Sequence, residues 1–92
     1  MLNIFTKEFI EEIGFKFTVG DENSQYGEAV SKKPNGMTVI NWNNGGHFCT
    51  YFGEKLEPNV SMSIKKDGGT RTAFNGYVFS QDDVRFLLKR TN

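Results

Sequence analysis

Apolar and polar positions along this chain alternate with a period of two over most of its length and take up helical spacing only near its ends. In residues 3–13, NIFTKEFIEEI, Phe5, Phe9 and Ile13 recur every four positions with Ile10 beside them, which predicts a short helix. Asn3 or Thr6 can cap it, and Gly14 suits its end. Residues 15–20 then alternate, with Phe15, Phe17 and Val19 on one side and Lys16 and Thr18 on the other, as a half-buried strand does. Tyr26 to Lys32 reads as a weaker strand, interrupted by Gly27 and Ala29, and Lys33-Pro34-Asn35-Gly36 is a turn.

The stretch from Met37 to Phe52 reads as a hairpin around Asn43-Asn44-Gly45-Gly46. A two-residue turn puts Thr38, Ile40 and Trp42 on one face with His47, Cys49 and Tyr51. A three-residue turn instead joins Ile40 and Trp42 to Phe48, Thr50 and Phe52, and the larger apolar groups slightly favour it. In either register Met37 and Val39 fall on the other face, so the hairpin is expected to be central or covered on its second side.

After a connection containing Pro58, Val60, Met62 and Ile64 form the cleanest alternation in the chain. Asp67-Gly68-Gly69 turns it back into a last strand, where Asn75-Gly76 suggests a bulge. Ser80 with Asp83 has capping-box spacing, Phe79 is placed to staple onto Val84, and Val84, Leu87 and Leu88 form a buried helical stripe. Arg85, Lys89 and Arg90 gather toward the end favoured by the helix dipole, and Phe86 falls off the stripe. The expected fold is α+β: an N-terminal helix, a mostly antiparallel meander of five or six strands, and a C-terminal helix packed on the sheet, within one domain spanning 1–92. A curled sheet wrapped round one helix is the second arrangement considered.

Composition sharpens this picture. The 92 residues suffice for one modest core, and nine Phe against four Leu suit a twisted sheet better than a bundle. Eleven basic and eleven acidic residues cancel, so no bulk charge draws the chain to nucleic acid or anionic membrane. The lone Cys49 excludes an internal disulfide framework. No apolar run is long enough to span a bilayer, and the acids from Glu8 onward are unlike a secretion signal. A cytoplasmic protein, from a cell or from a phage or other mobile element, is the expectation.

Candidate chemistry is sparse. His47 and Cys49 share a strand side and define a thiolate–imidazole alternative for a small enzyme, but a strand interior is a poor setting for a nucleophile and no oxyanion-stabilising motif accompanies them. One His and one Cys do not complete a zinc site, and the glycine pairs match no phosphate-binding pattern, so no metal or cofactor is expected. Two binding readings remain. The first is a non-enzymatic protein-binding or regulatory module, self-association included, presenting Phe86, Met37, Val39 and Arg90. The second is single-stranded nucleic-acid binding by the aromatics Trp42, Phe48 and Tyr51 with Lys32, Lys33, Lys65, Lys66 and Arg71. Phe52, Phe74 and Tyr77 are further stacking candidates.

Overall fold

Helix α1 (Lys7–Glu12) starts where Thr6 accepts a hydrogen bond from the Phe9 amide, 3.1 Å away, in a computed structural model that describes residues 4–34, 36–43 and 59–91. It is shorter than the pattern over 3–13 suggests because Thr6, in extended conformation, is the cap. At its other end the Phe15 amide donates to Ile10 and the Gly14 amide to Glu11, with Gly14 at φ +82°. That pair of hydrogen bonds is a Schellman stop, and it turns the chain into the first strand.

Among the described residues five antiparallel strands follow in an open meander: β1 (Lys16–Val19), β2 (Tyr26–Lys33), β3 (Gly36–Asn43), β4 (Asn59–Lys66) and β5 (Gly69–Tyr77), in that spatial order. Helix α2 (Gln81–Thr91) closes the chain. β2 is a full strand despite its small residues, paired with β3 over its whole length. Both edges of β3 are therefore occupied, by β2 and β4, in continuous ladders from Gly36 to Asn43. This corrects the expectation that β3 pairs with a strand over 47–52; that segment and the hairpin register at Asn43–Gly46 lie outside the described residues.

The pleat sorts the side chains. Ala29, Ile40, Met62 and Phe74 form one rung of the inner face, and Gly27, Trp42, Val60 and Gly76 form another. Phe5, Phe9 and Ile10 from the α1 end and Val84 from α2 join them in one core cluster, so both helices cover the same side of the sheet. Phe5 stacks on Trp42 at 4.9 Å between ring centres, and Phe17 meets Trp42 edge-on at 5.5 Å.

Two bulges alter the expected alternation. One lies at Thr18, where the register passes from Phe17↔Ala29 to Val19↔Glu28. It turns Val19 away from Phe17's side and leaves it exposed. The other skips Ala73, between Thr72↔Ser63 and Phe74↔Met62, so the expected bulge at Gly76 is displaced; Gly76 pairs regularly with Val60. The β4–β5 hairpin turns through Asp67 (φ 52°) and Gly68 (φ 79°), a two-residue loop whose left-handed backbone matches the twist of the strands.

At the start of α2 the Asp83 amide donates to the Ser80 hydroxyl at 3.2 Å, while the Asp83 carboxylate accepts from the Phe79 amide at 2.7 Å. The capping pair forms, but the staple does not: Phe79 is 71% exposed, and Val78 enters the core in its place. Arg85 ties the helices together, bonding Glu12 through two nitrogens and lying over the Phe9 ring at 5.1 Å.

Candidate functional site

Two surfaces gather chemistry that the linear chain keeps apart. The first is the end of the sheet that carries the β2–β3 and β4–β5 turns. Register places Lys33, Gly36, Lys66 and Gly69 on one rung, Lys32, Met37, Lys65 and Thr70 on the next, and Ser31, Thr38, Ile64 and Arg71 on a third. Lys32, Lys33, Lys65, Lys66 and Arg71 are all exposed. Within the two turns Asp67 is the only acid beside them. An open concavity of about 430 Å³ is bordered by Ile64, Lys66, Gly69, Thr70 and Arg71. Gly36 is required here, because a Cβ at that position would collide with the Lys65 carbonyl oxygen.

The second surface begins at the other end of the sheet. Tyr26, Asn43, Asn59 and Tyr77 share a rung on the face away from the helices, with both tyrosines exposed. Phe79 follows Tyr77 around buried Val78 and leads into α2, where Phe86 is 59% exposed beneath the Arg90 guanidinium, 5.8 Å from the ring centre. β5 is an edge strand, and no other described strand pairs with its outer side.

The structure divides the residues that the sequence nominates. The lysine pairs and Arg71 come together. Trp42 does not join them: it is 3% exposed in the core, so it is corrected from a stacking platform to a packing residue. Phe74 is also on the inner face, packed against the core. Phe48, Tyr51 and Phe52, together with His47 and Cys49, lie outside the described residues. Among the interface candidates, Phe86 and Arg90 are exposed, Met37 is half-buried, and Val39 is buried beside Val30 and Ser63 in the ladder, which removes it from any contact surface. Phe79 is the contributor that sequence reading missed, because a staple motif concealed it.

Hydrogen bonds from Arg85 hold the Glu12 carboxyl below its ordinary value of 4.5, and the same contacts strengthen the hold of Arg85 on its proton. This pair joins α1 to α2. Among the described residues no group of three or more His, Cys, Asp or Glu comes together to hold a metal ion. No described helix is long and apolar enough to cross a membrane. Set against protein-family models, curated proteins and solved structures, the chain matches none. Its class therefore rests on its own architecture: a small α+β domain with an open five-stranded meander and both helices on one face.

Proposed function

We propose that the chain is a non-enzymatic protein-binding module, and that its β5 edge and the aromatics at the end of that strand engage a partner, a second copy of the chain being the simplest. The observation that carries this reading is Phe79, 71% exposed at the end of an edge strand and flanked by exposed Tyr77. Large apolar side chains grouped at an edge are characteristic of contact surfaces. An edge strand adds main-chain hydrogen bonds to whatever extended segment lies beside it. Two β5 edges related by a two-fold axis pair antiparallel, which makes the contact self-complementary. Phe86, on the outward side of α2, supplies a second apolar group with Arg90 above it.

The test is light-scattering mass measured from micromolar to submillimolar concentration on the wild type and on Phe79→Ser and Phe86→Ser. A mass that doubles with concentration in the wild type and stays monomeric in Phe79→Ser supports the reading. A wild-type monomer throughout would overturn self-association through β5.

A further inference from the structure

We propose that the turn end of the sheet binds the phosphate backbone of single-stranded nucleic acid without reading its bases. This surface lies at the far end of the strands from Tyr77 and Phe79, and of its cations Arg71 alone is on β5, so the lysine variants test it apart from self-association.

The ladders arrange the cations in two rows across the strands, one on each face. Away from the helices, Lys16 of β1, Lys32 of β2 and Lys65 of β4 step across the sheet. On the opposite face, Lys33 of β2, Lys66 of β4 and Arg71 of β5 do the same. Strand spacing and rise put neighbours within a row about 8–10 Å apart. Among the described residues, Lys32, Lys65, Lys66 and Arg71 form no ion pair. A chain with no net charge thus brings five cations, Lys32, Lys33, Lys65, Lys66 and Arg71, to one end of its sheet, where the two turns themselves contribute one acid, Asp67, among the described residues.

Protein partners anchor on apolar and aromatic groups, with charge depleted from the centre of the contact. The rungs at this end carry no aromatic residue, and their larger apolar side chains, Met37 and Ile64, are half-buried. A phosphodiester chain needs no such anchor, since its affinity comes mainly from the number of Lys and Arg contacts. Among the described residues its bases find no platform here, because Trp42 is in the core and Tyr26 and Tyr77 are at the other end. The rows lie on opposite faces of one sheet. A stiff duplex, with a persistence length of about 50 nm, meets one row, whereas a flexible single strand turning over the tip reaches both.

Fluorescence anisotropy with a labelled mixed-sequence single-stranded DNA of about twelve nucleotides tests this. With about four phosphate contacts the affinity falls about fifty-fold between roughly 50 and 200 mM salt. Lys65→Glu/Lys66→Glu is expected to lose at least about tenfold in affinity and to flatten the salt dependence. Lys32→Glu/Arg71→Glu, on other strands, is expected to do the same, with thermal midpoints and circular dichroism confirming that both variants fold. Phe79→Ser leaves binding unchanged. The proposal is overturned by an absence of binding at low salt, by wild-type affinity in both folded charge-reversal variants, or by equal affinity for duplex of the same sequence. Equal competition by polyglutamate also overturns it, and reassigns the surface to acidic protein segments.

Discussion

Gly27 lies directly opposite Trp42 in the β2–β3 ladder, and a Cβ at position 27 would fall 2.7 Å from Cε2 of the indole. The ring occupies the space that the missing side chain leaves, sandwiched between that bare backbone and Phe5. Gly27→Ala must therefore displace a large, rigid, buried ring. The expected cost is about 1–3 kcal/mol, the range for overpacking a filled core. Urea unfolding of the variant measures it, and an unchanged midpoint would mean that the Trp42 ring does not rest on residue 27.

Trp42 itself combines good packing with an unmet polar group. Its indole N–H is buried and has no acceptor among the described residues. Leaving such a donor unpaired costs about 1–3 kcal/mol. Trp42→Phe removes that cost while keeping an aromatic face against Phe5, so its net destabilisation is expected to stay under about 2 kcal/mol. Trp42→Ala loses the ring altogether and is expected to cost about 3–5 kcal/mol. Denaturant unfolding of the two variants side by side separates packing from polarity.

The cap of α2 is a local contribution. Ser80→Ala deletes the acceptor for the Asp83 amide and is expected to cost about 1 kcal/mol. Ser80→Asp retains an acceptor in that position and is expected to stay close to wild type. Thermal unfolding followed by circular dichroism reports both.

The Arg85–Glu12 pair gives stability a dependence on acid pH. Hydrogen bonds from the Arg85 guanidinium, followed by its charge, lower the Glu12 pKa in the folded protein, against opposing burial and Asp82. A depressed folded-state pKa contributes stability above the ordinary value of 4.5, and the contribution disappears as pH falls through the folded value. Wild type is therefore expected to exceed Glu12→Gln in thermal midpoint at neutral pH, with the gap closing below 4.5. The gap is expected to be small, since both side chains are partly open to water. A gap that widens in acid would contradict the assignment.

The sequence by itself determined the elements whose signals lie between near neighbours. Alternation in Val60, Met62 and Ile64, the Asp67-Gly68 turn, the Gly14 stop and the Ser80–Asp83 cap are each written within a few residues, and each appears in the structure. From these the order of helix, antiparallel meander and helix was legible, as was the packing of the C-terminal helix on the sheet. What sequence spacing could not decide was pairing at a distance. The Asn-Gly-Gly segment after β3 read as a tight hairpin returning along β3, yet β3 takes β2 and β4 as its neighbours over eight-residue ladders on both sides, a pairing that no local spacing encodes. Bulges at Thr18 and Ala73 reversed the facing of Val19 and set Thr72 and Phe74 on opposite sides, an outcome of fitting unequal strands together. The same registers set Lys32 and Lys65 on one rung, either side of Met37, and the packing left Phe79 exposed while Val78 filled the core. Local propensity specifies which segments are strands and helices; the meeting of side chains far apart in sequence is set by the shared packing of the whole sheet.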